Sequence, residues 1–228
     1  MGSEDLFKRI KARKVSDLKR VSKSRAQMKK ILIVCEGDKT EPAYFTDLTK
    51  HFRVNTASIL EITGDCGSSP LSVVKCAREK YAYEKRRSDP YDKVFCVFDK
   101  DAHTGYHSAV SQIHSLQPKG VFEAVTSIPS FEFWLLLHFS CSRKAFSPRK
   151  GNSEGAQMLS ELRKYLPHHE KNGMGVFNDL LDKLEDALLN NKRVESAALE
   201  DGCDNPSTRI GFLVNELFKV RDEFEGKK

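Results

Sequence analysis

The sequence predicts an α/β protein in which a mainly parallel sheet is flanked by helices and followed by a helical C-terminal extension. Three observations predict it. Two continuous apolar runs, Ile31 to Cys35 and Val94 to Phe98, are too short for helices and carry β-branched residues, so they read as strands buried on both faces. Helix-period segments alternate with such strands in a β-α-β-α-β order, which favours parallel pairing with right-handed crossovers. From Ser140 onward the chain becomes a series of amphipathic helices joined by polar connectors. The expected organisation is a basic N-terminal arm over 1–30, a core over 31–140, and a helical region over 141–228 packed on that core.

The arm carries eleven Lys or Arg against three acids, a net of +8, which leaves the rest of the chain at −2 of the total +6. With few large apolar residues it reads as a phosphate-tracking arm or as a solvated tail. Lys29 and Lys30 at its end count among the candidate nucleic-acid-binding residues.

After the first strand, Glu36 stands at the carboxyl end, where open parallel sheets hold their ligands. Gly37 permits a sharp turn or a close approach to phosphate, and Thr40-Glu41-Pro42 reads as a helix start with a capping hydroxyl and a proline in its first turn. Tyr44, Phe45, Leu48 and Phe52 follow at helical spacing and face the sheet. Ser58 to Ile62 is a second strand. Residues 64–70 form a loop with two glycines and two serines, either a plain turn or an anion cradle. Pro70 to Arg87 is a long helix with Leu71, Val74, Ala77 and Tyr81 on its apolar face.

The third strand ends in Asp99-Lys100-Asp101. Residues i and i+2 of a strand point the same way, so the two aspartates can converge on one point and Glu36 can join them there. Three hard oxygen ligands suit Mg²⁺, or Mn²⁺, with positions left for substrate phosphate. His103 lies two residues on, near enough in sequence to touch substrate or leaving group. After a short helix marked by Val110, Ile113 and Leu116, Val121 to Thr126 is the fourth strand. Ser130 then caps a helix running through His138 that is apolar nearly all round, and so buried. Glu132 is its exception, serving either the helix dipole or the metal site. Downstream helices are expected over 153–165, 176–200 and 209–225, with His168 and His169 in a connector that offers no ligand set.

A Glu-Gly after the first strand and an Asp-x-Asp after a later one resemble the Toprim domain of topoisomerases, primases and overcoming-lysogenization-defect nucleases, a Rossmann-like fold. Taken in order, CEGDKTEPAYF (35–45), VFDKD (97–101), SIPSFEFWLLLHF (127–139) and NPST (205–208) are similar to the RloB family, over roughly residues 25–215. That resemblance implies a Toprim-like catalytic core and a metal-dependent nuclease of prokaryotic mobile-element or anti-phage defence, encoded beside an ABC-type ATPase partner. Its DNA or RNA substrate stays open. On this reading Glu36, Asp99, Asp101 and Glu132 are catalytic. Glu36, Glu41, Asp99 and Asp101 are metal ligands, with Glu36 alternatively a general base and Glu41 alternatively a dipole-complementing acid. Lys39 and His103 join Lys29 and Lys30 as nucleic-acid contacts.

Other classes fit less well. Gly-Asp-Lys-Thr at 37–40 lacks the earlier glycine of a P-loop, so ATP hydrolysis by this chain is not expected. A haloacid-dehalogenase-like phosphatase would carry its Asp-x-Asp on the first strand, not the third. A non-catalytic Toprim scaffold would leave clustered acids repelling one another and any phosphate. No apolar run approaches the roughly 18 residues that span a bilayer, and the N-terminus lacks a signal-peptide core, so the expected location is the cytoplasm. The six cysteines show no C-x-x-C pair and are expected as reduced thiols, Cys35 and Cys96 within core strands.

Overall fold

The computed structural model describes residues 28–100, 104–147, 149, 151–169 and 175–226. Within them the elements run β1 (Lys29–Cys35), α1 (Thr40–His51), α2 (Val54–Ala57), β2 (Ser58–Thr63), α3 (Pro70–Arg86), β3 (Lys93–Asp99), α4 (Tyr106–Ser115), β4 (Phe122–Ile128) and α5 (Glu132–Leu136). The chain continues through α6 (Glu154–Leu162), α7 (Val176–Leu180), a 3₁₀ turn (Leu181–Lys183), α8 (Leu184–Asp201), β5 (Ser207–Thr208) and α9 (Ile210–Glu225). All but residues 28–30 of the basic arm, and both Asp101 and His103, lie outside the described residues.

One five-stranded sheet organises these elements in the order β2-β1-β3-β4-β5. Its first four strands are parallel and β5 is antiparallel to β4. Because β1 and β3 are central, both their faces are buried. Ile31, Ile33, Cys35, Phe95 and Val97 face α1, α5 and the C-terminal helices, in one apolar cluster that runs from β1 to Val220 of α9. Leu32, Val34, Val94, Cys96 and Phe98 face α3 and α4. The expected α/β, Rossmann-like architecture is the one observed, and the winding reverses between β1 and β3.

Local chemistry explains most element ends, with several differences from the sequence reading. β1 begins at Lys29, two residues earlier than its apolar run, because Lys29 and Lys30 pair with Ser58 and Ile59 of β2 and the Lys30 N–H donates to Asp92 Oδ2 at 2.8 Å. α1 starts with Thr40 as its first helical residue and Lys39 at the capping position, so Thr40 does not cap. Pro42 still falls in the first turn, where its missing N–H costs nothing. Ser69 and Ser72 form a reciprocal capping box at α3, which is the use the Gly/Ser loop finds for its last serine. On α3, Val74, Ala77 and Tyr81 are buried as their spacing predicts, with Val73 beside them, while Leu71 at the first turn is exposed.

Two further differences concern the C-terminal half and the cysteines. The helix expected over 176–200 is broken by the 3₁₀ turn, whose tighter winding re-aims the apolar stripe so that Phe177 and Leu180 upstream and Leu184 and Ala187 downstream reach one core. Phe177 meets Tyr44 edge-on at 5.4 Å between ring centroids and Phe52 at 6.3 Å, which fastens α7 to α1. Cys66 and Cys76 are joined in a disulfide, with 5.7 Å between their Cα atoms, contrary to the expectation of reduced thiols throughout. The loop leaving β2 folds back over the start of α3, and that proximity is invisible in a ten-residue spacing. Cys35 and Cys96 are buried as expected.

Candidate active site

The carboxyl ends of β1, β3 and β4 bring three acids toward one another. The Glu36 N–H donates to the Val97 carbonyl at 2.9 Å, and the Asp99 N–H then donates to Glu36 Oε2 at 3.1 Å. The Glu36 side chain thus continues the β1–β3 ladder where the main chain of β1 turns away. Asp99 Oδ2 in turn accepts the Phe131 N–H at 3.2 Å, tying β3 to the segment between β4 and α5. Glu132, the first residue of α5, is 4% exposed and accepts a hydrogen bond from the Ser130 hydroxyl at 2.5 Å. That hydroxyl, expected to cap the helix backbone, holds the carboxylate instead, and α5 is five residues long, ending at Leu136 before it reaches His138.

Glycines make room for a fourth acid. A Cβ on Gly37 would collide with the Glu41 carboxylate, so the missing side chain is what lets Glu41 fold back from α1 over the loop after Glu36. A Cβ on Gly64 would collide with the Gly37 carbonyl oxygen and stand 2.7 Å from Pro42 Cγ, so the exit loops of β1 and β2 are in direct contact. Where the sequence allows a turn or a close phosphate approach at Gly37, the structure uses the missing side chain to seat a carboxylate.

The electrostatics follow from this crowding. Burial raises the Asp99 carboxyl well above the usual range, and the like charges of Glu41, Glu132 and Glu36 raise it further, against the opposing pull of the Phe131 N–H. His169, expected to lie idle in a connector, is buried at 8% exposure and lies within electrostatic reach of Glu132. Burial lowers its pKa, and Glu132 offsets this only in part. No signal in the sequence marks it, because its approach depends on how the segment after α6 returns to the core.

The remaining candidates divide by position. Lys39 is exposed at the start of α1, on the same edge as the acids. Lys29 and Lys30 are at the opposite, amino end of β1, where Lys29 pairs with Glu223 at 2.6 Å and Lys30 with Glu84 and Asp89 at 2.6 Å each. The structure therefore does not bring them to the carboxylates. The 205–208 segment does reach this edge: Ser207 and Thr208 pair with Ile128 and Ser127, and the Ser127 and Thr208 hydroxyls lie 2.9 Å apart. Asn205 clamps Phe146, accepting its N–H at 3.3 Å and donating to its carbonyl at 2.6 Å. Lys100, passed over between its two aspartates, also lies at this edge, with its ammonium against Asp204.

Whether this set suits a metal is a question of donors and of distance. An all-carboxylate environment, with one member held toward its protonated form by its neighbours, is chemistry that a hard divalent cation relieves. Among the described residues, no group of three or more His, Cys, Asp or Glu side chains is close enough to hold one ion together. The donor types fit, and the coordination shell is not assembled among these residues.

A parallel sheet wound in both directions from its centre, with acids gathered at the carboxyl ends of the strands flanking the reversal, defines a Rossmann-like α/β protein with an acidic edge site. The chain matches the family model of the RloB-like proteins over residues 31–217, and it belongs to that family. No curated protein and no solved structure matches it. Among the described residues, no helix is long and apolar enough to cross a membrane.

Proposed function

We propose that this RloB-like protein is a metal-dependent phosphodiesterase, a nuclease acting on DNA or RNA in prokaryotic defence, working in the cytoplasm with an ABC-type ATPase partner. The observation that carries the reading is the convergence of Glu36, Asp99 and Glu132, with Glu41 folded over them, at the point where the sheet reverses its winding. Family membership supports it, and so does the order of the acidic motifs.

In this reading Asp99, Glu36, Glu41 and Asp101 would hold Mg²⁺ or Mn²⁺, which when bound polarises the scissile phosphate and lowers the pKa of a coordinated water. The chain's own contributions are positional. Glu36 is oriented by the Asp99 N–H, so its carboxylate is aimed before any ligand arrives. Asp99 is oriented by the Phe131 N–H, and burial among like charges makes it hold its proton more firmly than an exposed aspartate would. Glu132, kept in place by Ser130, would add a further carboxylate beside the ion, and Glu36 is the alternative general base.

Calorimetric titration with Mg²⁺ and Mn²⁺ tests this reading without requiring the substrate. Saturable binding to the wild type that disappears in Asp99→Ala/Asp101→Ala is the expected result. Nuclease assays with and without the ATPase partner follow, and cleavage by that double variant with unchanged metal dependence would overturn the assignment.

A further inference from the structure

A site that handles phosphodiesters needs positive charge as well as metal, and this edge has little of it. Among the described residues of the four loops that leave β1 to β4 at the carboxyl end, the cations are Lys39 and Lys100. Lys39 is exposed, whereas Lys100 is held from several sides. Its N–H donates to the Ser127 carbonyl at 2.9 Å, extending the β3–β4 ladder one residue beyond Asp99. Strand alternation turns Asp99 toward Glu132 and Lys100 toward α4, where its ammonium lies 5.8 Å from the ring centroid of the buried Tyr106.

The ammonium also faces Asp204, 3.4 Å from each carboxylate oxygen. Charge-assisted hydrogen bonds are normally about 2.7–2.9 Å, so this contact is loose. The lysine side chain is 30% exposed and the aspartate 58%, and pairs so open to water add little to stability. Asp204 is nevertheless held close to this position, because the adjacent Asn205 is clamped to Phe146 and Ser207-Thr208 are paired with β4. The arrangement presents two anionic oxygens equidistant from one ammonium, one residue beyond Asp99 at the same carboxyl edge but turned to the opposite face of the sheet. Two non-bridging oxygens of a phosphodiester would make the same contact.

We propose that Lys100 is the phosphate-binding cation of this site and that the Asp204 carboxylate holds its ammonium until the backbone of a nucleic acid displaces it. The proposal rests on the nuclease reading and adds to it the residue that seats the substrate. DNA and RNA share the phosphodiester that Lys100 would recognise, and the test keeps them apart.

The experiment is fluorescence anisotropy with a labelled duplex DNA and a duplex RNA of the same sequence, in Ca²⁺ to suppress cleavage, across a range of salt. Wild type, Lys100→Ala, Lys100→Arg and Asp204→Asn are compared, with the melting temperature of each. The expected result is weaker binding by Lys100→Ala, with a salt dependence shallower by about 0.9 in log–log slope. Lys100→Arg should restore both, and Asp204→Asn should bind more tightly than wild type. The nucleic acid for which the slope changes identifies the substrate class. If Lys100→Ala binds like wild type with the same slope, while it and Asp204→Asn lose equal thermal stability, the pair is only a tie between β3 and the C-terminal region and the proposal is overturned. If the wild type binds neither duplex at any salt, the nuclease reading fails, which is a distinct result.

Discussion

The backbone N–H of Asp99 donates to Oε2 of Glu36 at 3.1 Å, joining the two strands between which the sheet reverses its winding. A side chain here does the work of a main-chain acceptor, so the first acid of the site is oriented by the backbone that carries the second. The same bond separates what Glu36 does for the fold from what it would do for a metal. Glu36→Gln keeps an acceptor and should leave stability within about 0.5 kcal/mol while weakening Mg²⁺ binding. Glu36→Ala strands an inward-facing donor and should cost roughly 1–3 kcal/mol in urea denaturation.

Asp99 predicts an unusual pH dependence. Burial and the charges of Glu41, Glu132 and Glu36 raise its folded pKa above the unfolded one, so between the two the native state holds more protons. Its contribution to stability is therefore lost as pH rises through that window, the reverse of a salt-bridged aspartate. In the absence of divalent ions, Asp99→Asn should melt higher than wild type at neutral pH, and the difference should shrink toward acid or on adding Mg²⁺ to the wild type. Thermal melts at several pH values, with and without EDTA, check this.

The two glycines should respond differently to alanine. At Gly37 the added Cβ meets the flexible end of Glu41, so Gly37→Ala should fold normally and lose Mg²⁺ affinity as that carboxylate is displaced. At Gly64 it meets a backbone carbonyl and the Pro42 ring, which cannot swing away, so Gly64→Ala should cost about 1–3 kcal/mol. Equal effects on stability from the two substitutions would contradict this account.

His138, buried at 2% exposure, accounts for part of the acid sensitivity expected of this protein. Burial pushes its pKa down to about 4 from 6.5, against a hydrogen bond from Nδ1 to the Trp134 carbonyl at 3.1 Å. The unfolded chain takes up the proton first, so stability present above pH 6.5 is lost as pH falls toward 4, by about 3 kcal/mol in all. His138→Gln should flatten urea stability over that interval.

The Cys66–Cys76 disulfide should contribute about 2–3 kcal/mol through closure of a short loop. Mass spectrometry under non-reducing conditions should find the two cysteines linked, and dithiothreitol should lower the melting temperature of wild type but not of Cys66→Ser/Cys76→Ser. Since the bond ties the loop beside Gly64 to α3, reduction should loosen the same region that Gly64→Ala strains.

Much of the fold was legible because its signals are local. Ile31 to Cys35 and Val94 to Phe98 declare themselves as buried strands by composition and length alone, and Ser69-Pro70 announces the start of α3. Glu36 and Asp99 stand out because an acid that ends an apolar strand has few reasons to be there. The errors were local competitions that sequence does not decide: which of Lys39 and Thr40 caps α1, or whether the Ser130 hydroxyl serves the backbone or Glu132. Lys29 and Lys30 look like the tail of a basic arm, yet the β2 register and the acids at 84 and 89 make them the start of a strand.

The sequence by itself determined the sheet, its parallel sense, and the acids at its strand ends, since apolar runs, crossover helices and strand-end carboxylates are properties of neighbouring residues. Only the tertiary structure decided which of these groups meet. Glu41 reaches the acids because Gly37 has no side chain, Lys100 faces Asp204 because β5 carries residues from the far end of the chain to β4, and His169 is buried within reach of Glu132. Such meetings join residues far apart in sequence or turn on a missing atom. Their energies depend on burial and distance, quantities that exist only once the chain has packed.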